Sequence, residues 1–222
     1  MIIRIIALLV VLIVIIIFGI TYTIKQAQKS PFNSPANFLG ESEQDNDQKT
    51  VVCVGASITH GQVSYNYVNI LSDRFGHADY QFVNAGINGN LAYNVVKRLD
   101  EIIKCDPDYV TVLIGTNDAN ASLSEKNSSR YMNDMALPEK PNAGFFRRNI
   151  KELIFQLKKQ TNAKIAILSL PPIGEEIKHI AWQRTKEYSD IIQGIAEVDN
   201  IDYLPLHEKI TEYILLEDHR PK

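Results

Sequence analysis

Three short segments of this chain carry residue types that suit acyl-transfer chemistry. In Gly55-Ala56-Ser57-Ile58-Thr59 the apolar run Val51 to Val54 ends in two tiny residues and a serine. A strand that turns into a helix there presents the Ser57 hydroxyl at the carboxyl edge of a sheet, where open α/β sheets place their ligands. The competing reading of Ser57 is a helix N-cap, a position that serine commonly fills. The second segment, Asn84-Ala85-Gly86-Ile87-Asn88-Gly89-Asn90, follows an apolar run at Tyr80–Val83. The third, Ile114-Gly115-Thr116-Asn117-Asp118, closes a run that begins at Tyr109. Acyl transfer requires a nucleophilic hydroxyl and donors aimed at the oxyanion of a tetrahedral intermediate. Gly89 has no Cβ, so its amide can approach a substrate closely. Asn117 offers two side-chain donors, and the Ser57 amide at a helix start adds a third with a favourable dipole. Singly, Gly89 reads as a turn and Asn117-Asp118 as an Asx-turn. At three successive strand ends they converge on one crevice.

The elements that must position these residues alternate along the chain. β-rich runs recur at Val51–Val54, Tyr80–Val83, Tyr109–Ile114, Lys164–Leu170 and Ile201–Leu204, with helical stretches at about 62–75, 91–104, 144–160 and 176–198. Leu91, Val95 and Leu99 mark one amphipathic face, and Ile150, Leu153, Ile154 and Leu157 mark another. Near-continuous apolar strands between helices predict a parallel, flavodoxin-like sheet covered on both faces, a three-layer α/β/α sandwich. The stretch 119–143, rich in Ser, Asn and Pro, reads as a long loop beside the third strand.

Before residue 51 the chain has a different character. Every residue from Ile5 to Ile20 is apolar, which predicts a single transmembrane helix over residues 1–24 that is not cleaved as a signal peptide. Residues 25–50, with Ser30-Pro31, Ser34-Pro35 and the polar run Glu41 to Asp47, read as a flexible linker. The soluble domain is then 51–222, expected on the extracytoplasmic side. The formal net charge is -3, and residues 1–30 hold only basic charges, so the domain is more acidic still. An acidic domain with scattered lysines is a poor fit to nucleic acid. The two cysteines, Cys53 and Cys105, lack C-x-x-C spacing, which argues against a zinc site.

The motif-bearing stretch resembles the SGNH (GDSL-type) hydrolases. Gly55-Ala56-Ser57-Ile58-Thr59 is similar to the family's first block, Asn84 to Gly89 to its second, and Gly115-Thr116-Asn117-Asp118 to its third. Leu170-Pro171-Pro172 and Tyr203-Leu204-Pro205-Leu206 are similar to the family as well, so the resemblance covers about 51–210. It implies Ser57 as nucleophile, Gly89 and Asn117 in the oxyanion hole, no cofactor and no metal. The substrates it implies are esters of acyl chains, sugars or lipids. Two departures stand out. Ala56 replaces the aspartate usual before the serine, and the family's base, a histidine in a carboxyl-terminal Asp-x-x-His block, has no counterpart here.

The five histidines divide as follows. His60 lies one turn past Ser57, His77 reads as an exposed helix end, and His179 as a solvated helix residue. His207 belongs to a loop after the fifth strand in the family's pattern. His219, preceded by Asp218, is the remaining candidate base. The expected function is a membrane-anchored serine esterase or deacylase acting on a small-molecule, lipid or glycan ester. The missing block leaves three explanations open: a fragment of such an enzyme, a complete protein with an unusual base, or a crevice that binds carbohydrate or lipid without turnover. An O-acyltransferase would use the same residues. Tyr131, Met132 and Phe145 are candidates to line an acyl or sugar pocket. A nucleotide binder is disfavoured, because no phosphate-cradling glycine loop occurs.

Overall fold

A run as apolar as Val51-Val52-Cys53-Val54 is stable as a strand only when both of its faces are covered, and this run is the centre of β1 (Lys49–Gly55), buried from Thr50 onward. The computed structural model describes residues 11–19, 30–40, 47–62, 64–76 and 79–218, the side chains of 217 and 218 excepted. The strands that follow are β2 (Tyr80–Gly86), β3 (Tyr109–Leu113), β4 (Lys164–Leu168) and β5 (Asp202–Leu204). All pair in parallel in the order β2-β1-β3-β4-β5. This is the flavodoxin-like order, whose switch point falls between β1 and β3. By that rule a ligand is expected at the carboxyl ends of the strands that precede Ser57 and Asn117.

Helices flank the sheet. The larger core joins Val52, Val54, Val110, Val112 and Ile167 to α4 (Ala92–Lys97), α5 (Leu99–Lys104), α8 (Ala143–Gln160) and α9 (Ile180–Asp199). In α8 the buried residues Phe146, Ile150, Leu153, Ile154 and Leu157 recur at three- and four-residue spacing, as the sequence predicts. The alternate strand residues Val51 and Cys53 face the other way, against Val68 of α3 (Tyr67–Phe75).

Four expectations are corrected. The helix expected over 91–104 breaks at Arg98, whose guanidinium bonds the ends of β1 and β2. The loop expected over 119–143 contains the end of α6 (Thr116–Ala121) and all of α7 (Glu125–Asp134). Ser124 caps α7 by accepting from the Asn127 amide at 3.2 Å, and only Ser128 and Tyr131 of this helix are buried. A helix that buries so little needs few apolar residues, so its sequence imitates a loop. After β5 the chain does not enter a loop but the helix α10 (Leu206–Asp218).

The fourth correction concerns the linker. Residues 32–40, inside the expected flexible stretch, are packed on β2 and form α1 (Pro35–Gly40). The Asn84 amide donates to the Asn33 carbonyl at 2.8 Å, and Asn33 Nδ2 donates to the Phe82 carbonyl at 3.0 Å. Phe38 joins the main core. The segment thereby covers the open edge of β2, the position where a sheet otherwise exposes unpaired backbone.

The chain divides into two compact parts, residues 1–31 and 32–222. In the first, residues 11–19 are helical and exposed throughout. No helix among the described residues is long and apolar enough to cross a membrane. The remainder of the expected anchor, residues 1–10 and 20–24, lies outside the described residues.

Candidate active site

The register of the sheet builds the site. Gly55 pairs with Gly86 on one side and with Leu113 on the other, so three strands end on one row. Ser57, Gly89 and Asn117 stand two to four residues beyond that row. Ser57 opens the short helix α2 (Ser57–His60), in which Ala56 holds the cap position. Ser57 is therefore not the N-cap. Its hydroxyl is half-buried and has no hydrogen-bond partner among the described residues.

Two glycines let α2 lie against the strand ends. A Cβ on Gly55 would sit 2.0 Å from Thr59 Oγ1, and one on Gly86 would sit 2.2 Å from the His60 backbone nitrogen. Gly89 lies in a turn closed by the Asn90 amide on the Ile87 carbonyl at 3.2 Å, and its φ is +80°. A Cβ there would meet Met135 Cε at 2.5 Å, so Met135 of the segment after α7 covers this glycine.

Asn117 sits in the first turn of α6 and is held at both ends of its amide. Its Nδ2 donates to the Asn90 carbonyl at 2.9 Å, and its Oδ1 accepts from the Tyr131 hydroxyl at 2.9 Å. One N–H of Asn117 is thus spent on the Gly89 loop, and the other has no partner among the described residues. Beside it, Asp118 is fully buried and accepts from the Ala92 amide at 3.1 Å. Burial pushes the Asp118 carboxyl up to about 7, against the downward pull of that amide.

Arg98 was not anticipated by sequence reasoning. Its guanidinium donates to the carbonyls of Ala85 and Gly55 and to Asn90 Oδ1, with Glu101 as its counter-ion at 2.8 Å. The only sequence signal was an arginine beside the apolar Leu91-Val95-Leu99 face. Burial also disposes of the thiols. Cys53 is pushed up to about 11 and Cys105 up to about 12, so neither is a thiolate at neutral pH. Among the described residues no cluster of His, Cys, Asp and Glu could hold a metal ion.

A hydroxyl at the switch point, flanked by a close-approach glycine and an oriented amide, is an arrangement suited to acyl transfer. The chain matches the GDSL-like Lipase/Acylhydrolase family over residues 53–219. It belongs to that family. As a GDSL-like hydrolase it is an ester-hydrolysing serine hydrolase. Among solved structures it is similar to an acetyl xylan esterase, AlAXEase, at 25% identity and a TM-score of 0.65, over 76% of this chain and 83% of that one. It shares its fold with an acetylxylan esterase from Geobacillus stearothermophilus, at 17% identity and a TM-score of 0.62, over 75% and 80% of the two chains. The same holds for the lipase/acylhydrolase from Enterococcus faecalis, at 22% identity and 0.58, over 75% and 80%. No curated protein matches the chain.

No histidine among the described residues bonds Ser57. His179 is the exposed N-cap of α9, its Nδ1 accepting from the Ala181 amide at 3.2 Å. His207, 1% exposed, has Nδ1 within 2.9 Å of the Leu170 carbonyl and its ring 4.9 Å from that of Trp182. His60 ends the helix that Ser57 begins. His77 and His219 lie outside the described residues, as does the side chain of Asp218. Of the expected pocket residues, Phe145 is buried against Tyr93, with ring centroids 5.7 Å apart, and Tyr131 is buried with its hydroxyl on Asn117. Both are internal supports, and Met132 is half-buried in the same cluster as Tyr131.

Proposed function

We propose that this GDSL-like hydrolase is a membrane-held esterase that removes short acyl groups, acetyl above all, from a carbohydrate ester, with Ser57 as nucleophile. The observation that carries the reading is the common row of Gly55, Gly86 and Leu113, from which Ser57, Gly89 and Asn117 all issue. Ser57 Oγ attacks the ester carbonyl, and the amides of Ser57 and Gly89 with Asn117 Nδ2 receive the developing oxyanion. The alcohol leaves, and water then cleaves the acyl-enzyme. Likeness to AlAXEase supports an acetylated glycan as substrate, and Met135 over Gly89 supports a small acyl group. The apolar run from Ile5 to Ile20 supports the anchor.

The test is a fluorophosphonate probe together with acetate release from 4-nitrophenyl acetate and acetylated xylo-oligosaccharides. The expected result is one label on Ser57 and turnover that Ser57→Ala abolishes. Turnover that survives Ser57→Ala overturns the assignment. Acetyl appearing on a sugar hydroxyl instead of in solution makes the protein a transferase. Release of the full chain from membranes by carbonate would remove the anchor from the proposal.

A further inference from the structure

We propose that Tyr131 is a positioning residue of the acyl-transfer site, locking the Asn117 amide in the one orientation that leaves an N–H of Nδ2 for the oxyanion. The inference rests on the reading of Asn117 given above. It begins with a proton count. Asn120 Nδ2 can only donate, and it lies 3.3 Å from the Tyr131 hydroxyl oxygen. The phenol has one proton of its own. Since its oxygen accepts from Asn120, that proton goes to Asn117 Oδ1 at 2.9 Å. The oxygen end of the amide is thereby fixed, and Nδ2 falls on the Asn90 carbonyl at 2.9 Å. A rotated amide would set Oδ1 against the Asn90 carbonyl, acceptor against acceptor, and would take from the Tyr131 proton the oxygen that now receives it. The bond to Asn90 would be lost and the phenol would have to turn from donor to acceptor.

The support behind Tyr131 is also built. Tyr131 is 8% exposed, in a cluster with Leu91, Ala121 and Leu137, and the Arg130 guanidinium lies 4.8 Å from its ring centroid. Asn127 Nδ2 donates to both oxygens of Asn120 at 3.0 Å. The path Asn127, Asn120, Tyr131, Asn117, Asn90 thus joins α7 to the Gly89 loop. The docking of α7 sets the hole, so the polar segment 119–143 is part of the catalytic architecture and not a border to it.

Tyr131→Phe removes the hydroxyl and keeps the ring. On 4-nitrophenyl acetate kcat should fall about tenfold with KM within twofold, since only a transition-state contact is loosened. In the Asn117→Ala background the same change should have no further effect on kcat. A merely structural role would lower both backgrounds equally and would overturn the proposal, as would a kcat within twofold of the parent. A second readout needs no turnover. The Asn117 side-chain amide, identified as the ¹⁵N pair absent from Asn117→Ala, should exchange with solvent about tenfold faster in Tyr131→Phe. Unchanged exchange overturns the positioning role. Faster exchange in a protein that cleaves no ester keeps that role and removes only the esterase reading.

Discussion

Arg98 donates through Nη2 to the carbonyl oxygen of Ala85 at 2.7 Å, one residue before the end of β2. The same nitrogen reaches the Gly55 carbonyl at 3.3 Å, and Nε reaches Asn90 Oδ1 at 2.9 Å. A single guanidinium, its side chain 15% exposed, therefore ties together the end of β1, the end of β2 and the loop that holds Gly89. The helix breaks at residue 98, the position from which this planar fork reaches three acceptors. A lysine has no fork and could meet only part of the set. Arg98→Lys should lower stability by about 2–4 kcal/mol, the cost of leaving buried acceptors unpaired. It should also reduce kcat about tenfold by loosening the Gly89 loop. Urea unfolding and acetate-ester turnover check the two together, and a variant matching the parent in both would remove Arg98 from the site.

The base is the second matter for test. His207 is committed to Leu170, His179 to its own helix, and the Ser57 hydroxyl has no partner among the described residues. His219 beside Asp218 is then the histidine to change first. His219→Ala should reduce turnover at least about 10³-fold, as loss of a triad base does. His207→Gln should leave kcat within about twofold and lower the melting temperature. Equal turnover in His219→Ala and the parent would exclude His219.

Much of this architecture was legible in the sequence, because the features that announce it are local. Five apolar runs marked five strands, and a strand end followed by Gly, Ser or Asn marked each loop of the crevice. What stayed hidden depends on partners distant in the chain. Arg98 looks like any polar residue of an amphipathic helix until Ala85 and Gly55 stand beside it. α7 looks like a loop because Tyr131 does its work through one hydroxyl and not through an apolar stripe. Residues 32–40 look like a linker because backbone and Asn33 make the hydrogen bonds to β2 and Phe38 alone reaches the core, too little to leave a hydrophobic period. His207 falls in a loop by the family's pattern, yet its contact with Leu170 spans two strand ends.

Gly89 offers a prediction in which strain and crowding separate. Its φ of +80° disfavours any side chain, and Met135 Cε stands 2.5 Å from where a Cβ would be. Gly89→Ala should therefore cost about 1–2 kcal/mol for the backbone alone, with the collision added. Shortening Met135 to Ala in the same protein relieves the collision but not the φ. The double variant should recover part of the loss relative to the sum of the single ones. Full additivity in chemical denaturation would mean that Met135 does not cover Gly89 in solution. Met135→Ala alone should improve turnover of butyrate over acetate esters if Gly89 borders the acyl group as proposed, because the thioether lies directly over that glycine.

The pH dependence of stability should have two opposed causes. Burial raises the Asp118 carboxyl from 3.8 to about 7, so the folded state holds its proton more tightly than the unfolded chain. That contribution is complete below the unfolded value and is lost as pH rises through about 7. His207 has the opposite sign. Burial lowers its pKa from 6.5, against the upward pull of the Leu170 carbonyl and Glu208, so its contribution is present above that value and is lost as pH falls. The cause is visible in the packing, since Nε2 is buried without a partner among the described residues and a proton there would gain no acceptor from them. Asp118→Asn, which can still accept from the Ala92 amide, should flatten the decline between about pH 5 and 7. His207→Gln should flatten the acid limb instead. Urea midpoints across about pH 5 to 8 distinguish them, and parallel profiles for parent and both variants would show that neither burial governs stability in this range.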